Sequence, residues 1–459
     1  MTDEPITRRD ALLRGGVSMA ALAAYLAGPA AGGALAAARR AAAGVTGTTI
    51  TVATASTPWL ASYQKVVSLY QQETGNQVNL QVFPFAGLLT QQANAIQNKS
   101  GAFDVFQINE GWTGAFYDRG WVLPLSAVQP KFAWPAHVIG YDGVGRWDKK
   151  ARDTSSDGIP YALPINGNAQ VLGYRKDIYQ KLGLRIPTTF AQAIANGVKA
   201  QKAGLVKYGY TTRGMGDRGG NSVTFDFGAV LNGYGADWFR NPDEGDWTPT
   251  IDSEAAQEAM ATYLKLLALG PQPAQTVGQP QVLAIMQAGQ ALQGHFVEAL
   301  APNLDDPRSS TVVGKIGYAV VPAGVGNKHA PQTGTWVLGI PSVGVSPAQR
   351  RAGLAFVEWL VSAHAQQQWA SYGGIITRDD VLKTPLAHTG TTRWMRAARY
   401  STPYYHRGIR YPFGPTMTGV TEVRITEMVA GQLSVKDGMR TMAREIGKVA
   451  RLWKAGKLG

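Results

Sequence analysis

The chain of 459 residues is 45% hydrophobic and 16% charged, carries a net charge of +13 and has no cysteine. That composition is globular, and it excludes a disulfide scaffold, a thiolate zinc site, an iron–sulfur cluster and a cysteine nucleophile. The basic residues are scattered, as at Arg350-Arg351, Arg393, Arg396, Arg399 and Arg407, so they read as a solvated surface and not as a nucleic-acid face.

The amino terminus reads as an export signal. Residues 1–43 contain Thr7-Arg8-Arg9-Asp10-Ala11-Leu12-Leu13, a weakly apolar run from Val17 to Leu26 and an Ala/Gly-rich end with Ala-x-Ala sites. The order is basic, apolar, small, and the apolar run is shorter than the ~20 residues of a membrane span. The paired arginines point to the twin-arginine route. Ala11 stands where that signal usually has a large apolar residue. The chain after about Gly44 is therefore expected outside the cytoplasm. With no cysteine for a lipid anchor, a soluble protein stays near the cell behind a second membrane, so the expected location is the periplasm.

From Thr49 the pattern alternates strand and helix. Thr49 to Ala53 is a β-branched run. Leu60, Tyr63, Val67 and Tyr70 recur at helical spacing until Gly75. Val78, Leu80 and Val82 alternate as a strand, and Leu88, Leu89, Ala93 and Ile96 mark a helix. Phe103 to Ile108 is a third strand, and Trp112 to Tyr117 a short helix. This alternation predicts a parallel sheet covered on both faces. Residues 126–158 are irregular. Ile159 to Arg175 predicts one long strand running from one body into another, and a second α/β section spans about 176–300, with a helix at Ser253 to Leu269. Ile316 to Pro322 predicts another crossing strand, and Trp336 to Pro341 a buried one. Ser346-Pro347 opens a helix with a Leu354, Val357, Leu360, Val361 stripe. Glu422 to Val429 and Val435 to Val449 close the chain as helices, and there are no internal repeats.

Several segments stand out by their order and spacing: Phe103-Asp104-Val105 with Trp112, Gly120-Trp121-Val122-Leu123-Pro124-Leu125, Tyr161-Ala162-Leu163-Pro164, Tyr174-Arg175-Lys176-Asp177, Trp336 to Pro341, and the Phe356 to Trp369 stretch with Gly373-Gly374. Together they resemble the family 1 extracellular solute-binding proteins of ABC transporters. The middle, with Asn232-Gly233-Tyr234-Gly235, Trp238-Phe239 and Asp246-Trp247-Thr248-Pro249, is most similar to the sugar- and polyol-binding group. It departs from that group at Arg218-Gly219-Gly220-Asn221, where a Trp-x-Glu-Asn is usual, and at Gly334, where an aromatic is usual.

The resemblance implies an α/β, type II two-lobe periplasmic-binding-protein fold. Each lobe would be a mostly parallel sheet flanked by helices, joined by crossing hinge strands. The implied division is 44–163 with 322–376 for the N-terminal lobe and 164–321 with 377–459 for the C-terminal lobe. The implied partners are a small sugar or polyol and a permease in the inner membrane. No cofactor, no metal and no nucleic acid is expected, and the protein is expected to be a monomer.

Binding a polyol needs amide, carboxylate and hydroxyl partners for its hydroxyls and flat apolar surfaces for its C–H faces. Such sites lie beyond the carboxyl ends of strands. Ser56 and Trp59 follow the first strand, Phe85 the second, and Asn109, Glu110 and Trp112 the third. Asn166, Asn168 and Gln170 sit on the crossing strand, where alternate residues face the cleft. Arg213 and Asn221 lie in a Gly-rich loop, and Trp336 begins the late strand. Glu298 reads as a solvated helix residue.

A rival from another class is an exported periplasmic enzyme, a glycosidase or a nicotinamide oxidoreductase. The latter is motivated by Gly214-Met215-Gly216-Asp217-Arg218-Gly219, which follows a possible strand and precedes Asp237 by about 20 residues. The six histidines are isolated and form no His-x-x-x-His pair. Arg213 and Arg218 motivate a third possibility, the same fold with an anionic ligand.

Overall fold

The computed structural model describes residues 47–217, 220–388 and 390–458. The expected export signal lies outside the described residues. Eight strands form the two main sheets: β1 (Thr49–Ala55), β2 (Gln77–Phe83), β3 (Val105–Asn109), β4 (Ala162–Asn166), β5 (Gln170–Arg175), β6 (Gln293–Val297), β7 (Ile316–Ala319) and β8 (Trp336–Gly339). The first sheet has the order β2-β1-β3-β8-β4, and the second the order β6-β5-β7.

Local sequence explains the first sheet. β3 and β4 are buried along their whole length, as strands covered by helices on both faces must be. The helix Leu60–Thr74 buries Tyr63, Val66, Val67 and Tyr70 and ends where Gly75 takes φ +75°, a conformation that costs glycine little. Ser346 starts the helix Pro347–Leu360 by accepting the Gln349 N–H.

Strand direction places the cleft. β1 runs parallel to β2 and β3, while β8 is antiparallel to both β3 and β4. Trp336, at the start of β8, is level with Asn109 and Asn166, the last residues of β3 and β4. In the second sheet both ladders to β5 are antiparallel, with Val297 at the end of β6 opposite Gln170 at the start of β5. Single parallel bridges at Tyr208 to Ala291 and Thr211 to Gly294 lay residues 208–211 beside β6. Each sheet thus contains one strand that enters from the cleft, and it must run against the strands that end there. The expected mostly parallel sheet is found in the first lobe, where β1, β2, β3 and β4 share one direction and β8 alone opposes them. In the second sheet both ladders are antiparallel, because β5 runs against its two neighbours.

The long strand expected over Ile159 to Arg175 is divided into β4 and β5. The break is at Gly167-Asn168, where Asn168 has φ +50°, so the chain turns there between the sheets. The late helix expected from Glu422 begins earlier, at Gly414. The helix Val435–Lys454 buries Met439, Met442, Ile446 and Trp453 along one stripe. Trp453 closes an aromatic cluster with Trp247 and Phe413, at ring separations of 5.5 and 5.4 Å.

Arg407 bridges two distant segments. Its guanidinium is 2.9 Å from Asp153, in the irregular stretch before β4, and 2.6 Å from Asp243, which lies in the hairpin after the helix Val223–Gly233. Among the described residues no helix is long and apolar enough to cross a membrane.

Candidate functional site

The ends of β1, β3, β6 and residues 208–212 and the starts of β5 and β8 surround a cleft of about 260 Å³ between the two sheets. From the first-sheet side Ser56, Trp59, Phe85, Asn109 and Trp336 line it. From the other side come Asn168, Arg213, Asn221 and Phe225.

One wall is aromatic. Trp336 meets Trp59 edge-on at 6.1 Å and Phe85 at 5.6 Å. Trp59 is itself held by Tyr63 and Trp369, at 5.9 and 5.4 Å. Centroid separations of this size pack aromatic rings well. Asn109 serves two purposes, since its Oδ1 also accepts the Gly111 N–H and starts a short helical turn.

The opposite wall is polar. Arg213 forms an ion pair of 2.5 Å with Asp226 and lies over the Phe225 ring at 5.0 Å. Burial pushes the Asp226 carboxyl up, but the Arg213 charge, the hydrogen bonds Arg213 donates and the nearby His295 together outweigh it and hold the group below the usual carboxylate range. Among the described residues, three polar atoms of the lining are buried with no hydrogen-bond partner: Thr57 Oγ1, Asn168 Oδ1 and Asn221 Oδ1. Unmade hydrogen bonds of this kind cost about 1–3 kcal/mol each, so the cleft is built to receive hydrogen-bonding groups.

A carboxylate fixes this wall from outside the cleft. Glu422, on the helix Gly414–Val429, accepts the backbone N–H groups of Asp217, Ser222, Val223 and Thr224 at 2.6, 2.9, 3.3 and 2.9 Å. The last three belong to the start of the helix Val223–Gly233, where no cap is supplied by the Ser222 side chain. Those donors would otherwise be orphaned.

This arrangement also answers the dinucleotide reading of the Gly-rich loop. A phosphate would need the helix N-terminus, and Glu422 already occupies it. The glycines serve packing instead. A Cβ on Gly214 would stand 2.4 Å from Ala274 O, and one on Gly216 would stand 2.2 Å from Thr426 Oγ1. Arg218 and Gly219 lie outside the described residues.

Four expected contacts are not in the cleft lining. Glu110 is buried behind it, accepting Thr333 Oγ1 at 2.6 Å and Thr335 N at 2.7 Å. Trp112 packs behind Phe85 at 4.8 Å and behind Trp336 at 6.0 Å. Asn166 accepts from Ile375 N and Trp369 Nε1. Gln170 donates to Asp226 at 3.1 Å and accepts from Gln332 N at 2.9 Å. Each follows a strand end or lies on a crossing strand as expected, but its polar or aromatic group is taken up by the protein itself.

Sequence reasoning missed Ser222, Phe225, Gln279, Val297 and Ala299. Val297 and Ala299 flank the carboxyl end of β6, so the strand-end rule would have found them had it been carried to the second sheet. Phe225 has a different signal, the glycine at 334. A Cβ there would lie 2.9 Å from Phe225 Cε2. The ring from across the cleft fills the room next to Gly334.

Glu298, expected in solvent, is buried directly after β6. Tyr405 donates to it at 3.3 Å, and burial raises its pKa to about 8. The folded chain therefore keeps a proton that the unfolded chain loses near 4.5, so stability falls as pH climbs from about 4.5 to about 8. Glu298→Gln removes this ionisation. Its stability relative to the wild type should rise between pH 5 and 8 by up to about 1.4 kcal/mol per pH unit, read as melting-temperature profiles that diverge in the variant's favour as pH climbs. Parallel Tm profiles would contradict this assignment.

A family model described as bacterial extracellular solute-binding protein matches residues 53–367. The chain belongs to that family. This solute-binding protein is 26% identical to the mannitol-binding protein of Pseudomonas aeruginosa over 362 residues, 78% of this chain and 76% of that protein. Among solved structures it is similar to an ABC transporter solute-binding protein of Agrobacterium radiobacter in complex with ribitol, with a TM-score of 0.75, 22% identity, and coverage of 88% and 99% of the two chains. A maltose-bound protein of T. maritima has the same TM-score, 20% identity, and coverage of 87% and 99%. The type II two-lobe fold expected from the sequence is thus the fold of this solute-binding protein, and extracytoplasmic work is the family's setting.

Proposed function

We propose that this protein is the capture subunit of an ABC importer, taking an uncharged polyol or monosaccharide into the cleft and passing it unaltered to a membrane permease. The observation that carries the reading is the pairing of walls: Trp59, Phe85 and Trp336 on one side, and Asn168, Asn221 and Arg213 on the other. Polyol C–H faces and hydroxyls ask for that combination. The cleft volume of about 260 Å³ falls just below the usual range of ligand pockets, about 300–1,000 Å³, and so favours one sugar-sized unit over an oligosaccharide. The names of the mannitol- and ribitol-binding relatives support the same class.

Capture works by hinge closure, in which the ligand binds the closed form better and shifts the population towards it. The turn at Gly167-Asn168 and the crossing strands β4, β5 and β8 would act as the hinge. They divide the lobes as 44–163 with 322–376 and 164–321 with 377–459. We further read residues 1–43 as a twin-arginine signal delivering the protein to the periplasm, where it acts as a monomeric carrier and not as an enzyme or a nucleic-acid binder.

The test is a thermal-shift screen of mannitol, ribitol, glucose and maltose, followed by recovery of the bound compound. A ligand that binds only the folded form raises Tm in a concentration-dependent way. The expected result is a shift with mannitol or ribitol and recovery of the compound unchanged. A chemically altered product, or a response to maltose alone, would overturn the reading.

A further inference from the structure

We propose that Asp226 sets the ligand's charge: by neutralising Arg213 from behind the cleft wall, it makes the cleft a receptor for uncharged polyhydroxyl compounds and excludes their carboxylate counterparts. The inference rests on the cleft being the ligand site.

Among the described residues, Arg213 and Asp217 are the charged side chains that line the cleft. An arginine in such a place usually selects a carboxylate or phosphate, because its planar fork matches those groups. Here that capacity is already committed. Asp226 Oδ1 accepts Arg213 Nη2 at 2.5 Å, and Oδ2 accepts the Arg213 backbone N–H at 3.0 Å and Thr212 Oγ1 at 2.8 Å. Gln170 Nε2 adds a further donor to Oδ1 at 3.1 Å. Asp226 is buried and does not line the cleft, so it meets no ligand and its charge is little screened by solvent.

A ligand carboxylate beside Arg213 would bring a second negative charge close to Asp226 and to the acidic Asp217. A hydroxyl would not. The guanidinium has five N–H donors, of which Asp226 and the Asn221 carbonyl engage two. Others remain for neutral oxygen acceptors, and the Phe225 face at 5.0 Å holds the group flat against the wall.

The experiment is titration calorimetry on the whole protein with two matched pairs, mannitol with mannonate and glucose with glucuronate. The wild type is expected to bind the neutral member of a pair at least about a hundredfold more tightly. Asp226→Asn is expected to move that ratio at least tenfold towards the acid, with acid binding that weakens as salt rises. The double variant Arg213→Gln/Asp226→Asn should not gain the acid. If Asp226→Asn does not fold, Asp226→Ser removes the same charge from a smaller side chain and gives the same readout. A wild type that binds the acid as tightly as its neutral partner, or an Asp226 variant whose ratio stays within threefold of wild type, overturns the proposal. Binding of glucose with rejection of glucuronate, and no response to mannitol, would correct the polyol reading and support this one. Silence towards all four compounds would overturn both.

Discussion

Replacing Trp336 by alanine is expected to weaken ligand binding about a hundredfold and to cost about 3–5 kcal/mol of stability. Both effects have one origin. Trp336 opens β8 after the chain crosses from the second sheet, and its backbone pairs with the last residues of β3 and β4. Its ring stands among Trp59, Phe85 and Trp112 at 6.1, 5.6 and 6.0 Å. Truncation removes the middle of the aromatic wall and opens a void that these rigid neighbours cannot fill. Trp336→Phe keeps part of the packing, so it should recover most of the stability and less of the affinity. Urea denaturation and calorimetry on the two variants separate the roles. Unchanged affinity in Trp336→Ala would remove this ring from the binding surface.

Glu422→Ala is expected to cost about 3–5 kcal/mol, although Glu422 does not line the cleft. Four backbone donors lose their acceptor together, and three of them begin a helix with no side-chain cap of its own. Affinity should fall as well, because the segment they anchor carries Arg213 and Asn221. Glu422→Gln keeps one acceptor oxygen but turns an amide NH₂ towards those donors, so it should be intermediate. Denaturation gives the stability, and hydrogen exchange at the Asp217 and Thr224 amides reports the segment directly. A loss below about 0.5 kcal/mol in Glu422→Ala, with those amides still protected, would contradict the assignment.

The order of strands and helices was legible in the sequence because periodicity and punctuation are local properties. Gly75 ends its helix and Ser346 begins one as the sequence predicts. Half of the candidate wall was legible for a similar reason: a residue after a strand's carboxyl end faces the crevice whatever the rest of the chain does. Glu110, Asn166 and Gln170 obey that rule in position, yet their side chains are spent on Thr335, Ile375 and Gln332, partners over 150 residues away. No local pattern announces such a partner. Glu298 escaped for the same reason, since its burial depends on Tyr405, 107 residues distant. The aromatic wall was legible only piece by piece, because Trp59, Phe85 and Trp336 meet through tertiary packing alone.

Arg407 holds Asp153 with one arm and Asp243 with the other, away from the residues that line the cleft. On the lobe division proposed above the two acids belong to different halves, so a swing of one half against the other would lengthen or shorten one of these arms. The strength of that clasp therefore enters the resting bias between spread and shut postures, and the apparent affinity scales with whatever fraction is already competent to bind. Evolution could thus retune how greedily the protein scavenges by altering a single acid outside the cleft, leaving untouched the choice of what it carries.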